Sequence, residues 1–201
     1  PEEKATGHYV LTVLREEKVA DRDCRVIQEH YDPASLGAKR ELFFDSDFNR
    51  IQEIVSQGTF EERIEFDPPI PNPYAELEVG EEKKTSHTLI VRGLPGGEER
   101  SRSSFTRVVK RLPDETVEVP AGIFVSCRKI MERTESESVN QGGTCKIITI
   151  REAWWDQKQG LVKEIYHNCI CGLQGVVVRE WTMTNALKSI TGREETEPSE
   201  K

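Results

Sequence analysis

The chain has 201 residues, of which 35% are hydrophobic and 32% are charged, and its formal net charge is −8. This length supports one domain with a core, and the negative charge argues against nucleic acid and anionic membrane surfaces as partners. No apolar run approaches the roughly twenty residues of a membrane-spanning helix, so we expect no transmembrane segment.

Alternation of apolar and polar residues predicts β-strands along most of the chain. No stretch holds a helical period, and only residues 185–191 have the composition for a turn of helix. The fold class is therefore mainly β, with little helix. Strands are predicted at residues 8–15, 24–31, 39–45, 50–57, 59–66, 85–92, 103–112, 116–119, 123–133, 145–155, 161–170 and 175–184.

The connections follow from turn chemistry. Four prolines make residues 67–75 an extended crossover, and Leu94-Pro-Gly-Gly97 is predicted to be a hairpin tip. Residues 134–143, rich in Ser, Glu and Gly, are predicted to be a loop. We expect a single domain over residues 7–191, with flexible tails at 1–6 and 192–201.

Two stretches of the chain repeat one pattern. Arg151 to Tyr166 resembles Arg40 to Val55: each reads Arg-Glu-x-aromatic-aromatic-Asp, then a polar turn, then a strand containing Glu-Ile. A Cys-Arg-x-Ile strand precedes each copy. Antiparallel meanders in general share alternating aromatics and charges, but two matching anchors in the same order favour a duplication.

This repeat predicts two similar meanders, at about residues 9–66 and 103–184. Together they would form one large curved antiparallel sheet, an open half-barrel. The concave face of such a sheet needs to be covered by a helix, a loop or a ligand.

The predicted hairpin register bears on the five cysteines. A tight turn after Trp155 places it opposite Leu161 and, farther from the turn, Cys145 opposite Cys171. Directly opposed residues lie within disulfide range. We therefore predict a Cys145–Cys171 bridge, with a Cys127–Cys145 bridge across the preceding hairpin as the competing pairing.

His167, Cys169 and Cys171 are spaced to share one face of a strand. Zinc binds such soft ligands, but structural zinc sites usually use Cys-x-x-Cys, so a disulfide or buried thiols fit better than a metal. The usual nucleophile, phosphate-binding and zinc-protease motifs are absent. The sequence predicts no catalytic residue, no metal and no cofactor.

Three tryptophans, Trp154, Trp155 and Trp181, could line a groove for carbohydrate or lipid. Adjacent Trp154 and Trp155 point to opposite faces of a strand, so at most one serves a given surface. Packing in the core is the favoured interpretation for the one that faces inward.

Three segments together resemble a known family. Val119-Pro-Ala-Gly-Ile-Phe124 before Cys127, Gly160-Leu-Val-Lys163 after an aromatic pair, and a Pro-rich segment ending in Val79-Gly80 are similar to signatures of uncharacterised bacterial cell-envelope proteins. The resemblance spans about residues 64–170. The chain departs from that family at Glu81-Glu-Lys-Lys84, where a Trp is common, and in its C-terminal cysteines.

The resemblance implies a fold like that of the periplasmic lipoprotein-carrier half-barrels, and a periplasmic or outer-membrane-associated location. Family members are exported or lipid-anchored, so an anchor would be carried on a leader ahead of Pro1. We expect a non-enzymatic binding or structural protein that holds a hydrophobic ligand or a protein partner on the concave face. The alternative is a thiol-dependent or zinc-dependent enzyme that uses His167, Cys169 and Cys171.

Overall fold

The computed structural model describes residues 5–6, 8–19, 21–32, 38–72, 77–140, 143–158, 160–171 and 177–187. The regular structure in these ranges consists of strands only. They are β1 (Ala5–Thr6), β2 (His8–Val19), β3 (Arg22–Asp32), β4 (Ala38–Phe44), β5 (Arg50–Gln57), β6 (Phe60–Ile70), β7 (Glu82–Gly93), β8 (Glu99–Val119), β9 (Gly122–Asn140), β10 (Gly143–Asp156), β11 (Gly160–Cys171) and β12 (Val177–Ala186).

The strands form one sheet in which β2 to β12 pair in chain order, each antiparallel to the next. The two residues of β1 pair in parallel with β12, where Ala5 meets Met183 and Thr6 meets Thr184. Within the described residues no ladder joins β2 to β12, so the sheet is open. The predicted fold class, one large antiparallel sheet of two similar meanders with little helix, is confirmed.

Three predicted connections are wrong because their residues belong to strands. Residues 134–140 continue β9, and one strand, β8, replaces two shorter predicted strands. Thr134 pairs with Arg107 on one side and Thr149 on the other, so its backbone groups are satisfied despite the polar composition. The start of the predicted crossover, through Ile70, is the end of β6. Most of 185–191, and 192–201, lie outside the described residues.

The two meanders share an irregularity that sequence alternation does not show. The register shifts within the aromatic pair of each first strand, at Phe43–Phe44 and at Trp154–Trp155. In both cases the partner strand carries one unpaired residue, Ile51 in β5 and Val162 in β11. A bulge of this kind moves one more side chain to the packed side and increases the local twist.

Corresponding residues build corresponding cores. Cys24, Phe43 and Ile51 are buried together in one meander, as Cys127, Trp154 and Val162 are in the other. The first cluster comprises Cys24, Val26, Phe43 and Ile51, and the second Val117, Val119, Cys127, Trp154 and Val162. Smaller clusters fill the middle of the sheet: Phe66, Ile70 and Phe105, and Leu77, Val109 and Ile130.

Candidate functional site

A row of buried and half-buried charges crosses one face of the first meander. Glu29 lies directly opposite Arg40, and Leu42 opposite Glu53, so the three charged side chains share a face. Arg40 donates from Nη1 to Oε2 of Glu29 at 3.2 Å and from Nη2 to Oε2 of Glu53 at 2.6 Å. We call Glu29, Arg40 and Glu53 the first triad.

The second meander carries the same arrangement. Glu132 lies opposite Arg151, and Ala153 opposite Glu164. Nη2 of Arg151 is 2.7 Å from Oε2 of Glu164, and Nη1 is 3.8 Å from Oε2 of Glu132. These three residues form the second triad. The Arg and the second Glu of each triad are the Arg and the Glu-Ile of the repeated sequence pattern.

The triads differ in the partners that adjacent strands add. Arg107 of β8 donates to both carboxylate oxygens of Glu132, at 2.8 and 3.1 Å. Asn185 of β12 donates from Nδ2 to Oε1 of Glu164 at 3.0 Å. In the first meander, Nη1 of Arg50 lies 3.6 Å from Oε2 of Glu53.

The pKa values of two corresponding carboxyl groups, Glu29 and Glu132, shift in opposite directions. Burial alone would raise the pKa of Glu132, but the charges of Arg107, Arg151 and Arg50 and the hydrogen bonds from Arg107 outweigh it and lower that pKa to about 2. Burial raises the pKa of Glu29; Arg40 offsets this only in part, and the charge of Glu164 adds to it.

Arginines and glutamates alternate along the two triads and their added arginines, except where the two triads meet. The two triads with Arg50 and Arg107 contain four arginines and four glutamates, and each arginine faces a glutamate. Glu29 and Glu164 are carboxyl groups of different triads, and the charge of Glu164, like that of Glu53, adds to the rise in the pKa of Glu29. Beside them is Asn185, only 3% exposed, whose Oδ1 has no hydrogen-bond partner among the described residues. The candidate site is this break: Glu29, Glu164 and Asn185.

The orientation of the Asn185 amide follows from chemistry. A carboxylate only accepts, so the atom that contacts Glu164 is the NH₂ group, and the carbonyl oxygen must be the unpartnered atom. Both amide atoms are bonded to the same carbon, so Oδ1 lies close to the Glu164 carboxylate. The break therefore presents one buried oxygen acceptor without a donor, close to a carboxylate, an arrangement that suits a cation or a hydrogen-bond donor.

An open cleft of about 400 Å³ lies elsewhere, lined by Arg22, Asn49, Pro68 and His87 among others. Both ring nitrogens of His87 have hydrogen-bond partners within the protein. Its Nδ1 lies 2.8 Å from the Pro68 carbonyl oxygen, which only accepts, and its Nε2 lies 2.8 Å from Oγ1 of Thr85. Burial lowers the pKa of His87, which favours a neutral ring that donates from Nδ1 to Pro68 and accepts at Nε2 from the Thr85 hydroxyl.

The predicted disulfide register is wrong. Trp155 does pair with Leu161, as predicted, but the bulge beside it shifts the outer pairs, and Cys171 lies opposite Lys146 instead of Cys145. A one-residue slip turns Cys145 to the opposite face of the sheet from Cys171. Cys145 lies opposite Ser138, far along β9 from Cys127. All five cysteines, which fall within the described ranges, are free thiols.

His167, Cys169 and Cys171 do share a strand face, but they do not converge with a further ligand. Cys169 Sγ lies 3.4 Å from Cys171 Sγ, and Nδ1 of exposed His167 lies 3.0 Å from Oγ1 of Thr182. In the described part of the chain no three His, Cys, Asp or Glu residues are grouped to hold a metal ion.

The core interpretation is confirmed for one tryptophan. Trp154 is 5% exposed, donates from Nε1 to Oε2 of Glu115 at 2.8 Å, and lies between the ammonium groups of Lys129 and Lys163. Trp181 is 38% exposed, with the Arg179 guanidinium 5.3 Å from its ring centre. Trp154 lies opposite Lys163 and Trp181 opposite Asn168, an odd number of residues apart on β11, so these two rings lie on opposite faces of the sheet.

The charged row was missed as a site by sequence reasoning. The repeated Arg and Glu positions predict two similar meanders, but the sequence pattern does not predict that these side chains pair with each other. The available signal was the equal spacing of Arg40 and Glu53 on one side and Arg151 and Glu164 on the other. Asn185 and Arg107 lie outside the repeated stretch and gave no signal.

Searches against protein-family models, curated proteins and solved structures found no match. The described residues contain no helix that is long and apolar enough to cross a membrane. The geometry of the site is therefore the basis for interpreting it.

Proposed function

We propose that this protein is a non-enzymatic binding protein. It holds its ligand by a cationic or hydrogen-bond-donating group placed against Glu29, Glu164 and Asn185. The observation that carries this proposal is the unpartnered amide oxygen of Asn185, a residue only 3% exposed, beside the Glu164 carboxylate at the break in the row of charges.

A hydrogen-bond donor or cation placed against Glu29, Glu164 and Asn185 would be energetically favourable. A buried acceptor without a partner costs about 1–3 kcal/mol, and two nearby carboxylates repel each other. An ammonium or hydroxyl group would relieve both effects at once. A purely hydrophobic ligand would relieve neither and would also strip water from the charged face. The ligand class expected from the sequence is therefore narrowed to an amphipathic molecule with a donor head group.

The thiol or zinc enzyme is the weaker candidate. A catalytic zinc uses three protein ligands, and the described residues offer no such group. No base contacts the Cys169–Cys171 pair among the hydrogen bonds described, whereas the cysteine nucleophile of a hydrolytic enzyme needs an adjacent base or cation.

Binding of three amphiphiles with one chain length tests the proposal: dodecylamine, dodecanol and dodecanoic acid. Isothermal titration calorimetry on the full chain should rank the ammonium first, the alcohol second and the carboxylate last. Glu29→Gln should weaken dodecylamine binding roughly tenfold or more, because it removes a charge-assisted contact.

Glu53→Gln provides the matched control, since Glu53 belongs to the same triad but lies on the far side of Arg40 from the break. It should leave dodecylamine affinity within about twofold of the wild type. Equal binding of all three head groups, no binding of any of them, or an unchanged affinity in Glu29→Gln would each overturn the proposal.

We propose the bacterial cell envelope as the location, on the sequence resemblance alone. Fractionation of bacteria that produce the full-length natural protein would recover it in the periplasm or with the outer membrane. Recovery in the cytoplasmic fraction would contradict this proposal without affecting the binding site.

A further inference from the structure

Strand β11 carries two thiols in contact on the face opposite the charged row. Cys169 and Cys171 are separated by one residue and therefore point the same way, and their sulfurs are 3.4 Å apart. Glu164, an odd number of residues away along the same strand, faces the other side. Both thiols are half-buried, so small reagents can reach them.

We propose that Cys169 and Cys171 form a redox-active dithiol site that exchanges with low-molecular-weight disulfides. This site is independent of the proposed ligand-binding site. Its substrate class is a small disulfide such as glutathione disulfide, and its product is an intramolecular Cys169–Cys171 bridge that a monothiol readily reduces.

The exchange balances in two steps. The thiolate of Cys171 attacks one sulfur of glutathione disulfide, which forms a mixed disulfide and releases one glutathione thiolate. Cys169 then loses its proton to solvent and attacks the Cys171 sulfur, which releases the second glutathione. Two protein thiols are oxidised, and one disulfide is reduced to two glutathione thiols.

Strand geometry makes the bridge reversible. Two residues of extended strand separate the Cα atoms by about 6.6 Å, which is close to the upper limit of roughly 6.8 Å for a disulfide. The bridge would be strained, and strained bridges have more oxidising potentials and are easily reduced. The register between β11 and β12 shifts at Ile170–Cys171, so the pairing there is already irregular.

The surroundings assign different roles to the two thiols. The hydrogen bond shared with Cys171 is the main cause that raises the pKa of Cys169, and the charge of Glu180, directly opposite on β12, adds to it. A thiol with a raised pKa is less often present as the attacking thiolate, so Cys169 suits the resolving position. Removing the Glu180 charge should make resolution faster.

Alkylation and mass spectrometry of the full chain in glutathione redox buffers test the proposal. As the buffer becomes oxidising, two of the five thiols should be lost together, with a bridge inside the peptide that contains residues 169–171. Excess reduced glutathione should restore both. Cys169→Ser should stop at the mixed disulfide on Cys171, and Cys145→Ser should behave like the wild type.

A second readout does not depend on oxidation. Phenylarsine oxide, which bridges neighbouring thiols, should bind the wild type and Cys145→Ser one to one, and should bind Cys169→Ser or Cys171→Ser at least tenfold more weakly. Glu180→Gln should form the bridge severalfold faster at neutral pH. Five alkylatable thiols in every buffer, a bridge to another cysteine, or equal phenylarsine oxide binding in the single variants would overturn the proposal.

Discussion

Glu29 and Glu132 occupy the same place in the two meanders, yet their environments oppose each other. Each lies directly opposite the arginine of its triad. The pKa of Glu29 is raised by burial, whereas arginine charges hold the pKa of Glu132 at about 2. One backbone arrangement thus holds one carboxylate that is reluctant to ionise and one that is strongly stabilised in its charged form.

The difference comes from the strands beside each triad. Glu132 receives the fork of Arg107, two residues before its cross-strand partner Val109 in β8. In β2 the corresponding register position is held by a tyrosine, Tyr9, in place of an arginine. On the other side, Glu164 faces Asn185, whereas Glu53 faces Ile64. The repeat therefore preserves the triads, and neighbouring strands decide the charge environment of each one.

The largest expected effect comes from removing a triad arginine. Arg151→Met leaves two buried carboxylates without a shared cation and should lower the free energy of unfolding by about 3–5 kcal/mol. Arg40→Met should cost less, because Arg40 is more exposed than Arg151, at 28% against 19%, and Glu29 can take up a proton. Urea unfolding at neutral pH measures both. Equal losses would show that the triads are energetically equivalent.

The same Glu→Gln substitution at the two corresponding glutamates should change the free energy of unfolding in opposite directions. Glu132→Gln should destabilise the protein by about 3 kcal/mol at neutral pH, since the shift from 4.5 to about 2 represents that much preferential stabilisation of the charged form. Glu29→Gln should leave stability equal or higher, because it removes a poorly compensated charge. Chemical denaturation of both variants would show this, and a loss at Glu29 as large as that at Glu132 would refute the contrast.

The pH dependence of stability should also distinguish the carboxyl group of Glu132 from that of Glu29. The pKa of Glu132 is lowered, so its stabilising contribution is present above pH 4.5 and is lost as pH falls toward 2. The pKa of Glu29 is raised, so its unfavourable contribution is absent at low pH and grows as pH rises through 4.5. Urea midpoints from pH 2 to 7 should therefore converge at low pH for wild type, Glu132→Gln and Glu29→Gln. Constant offsets across that range would contradict these assignments.

The smallest expected loss of stability concerns the buried cysteines, which have the same environment in both meanders. Cys24 and Cys127 are 1% and 0% exposed, and each sulfur lies 3.6 Å from a backbone carbonyl oxygen. Cys24→Ala and Cys127→Ala should each cost about 1 kcal/mol and should agree within about 0.5 kcal/mol. Thermal unfolding compares them directly, and a large inequality would show that the two apolar clusters are packed differently.

Much of the fold could be predicted from the sequence, and much less of the site. The alternation of apolar residues placed most strands, and the repeated pattern identified the two meanders and the Trp155–Leu161 pair. The loop prediction at 134–140 failed because polar residues can form a strand when both neighbours pair with it. The break in the charged row could not be predicted, since it joins residues from β3, β11 and β12.

The sequence by itself determined the period of the strands, the turns and the repetition of one Arg and one Glu in each meander, because these depend on local backbone geometry and spacing. The tertiary structure alone decided the bulges beside Phe43 and Trp154 and therefore which face each later side chain occupies. One extra residue in a ladder reverses the alternation beyond it. For that reason Cys145 lies apart from Cys171, while Cys169 and Cys171 remain together.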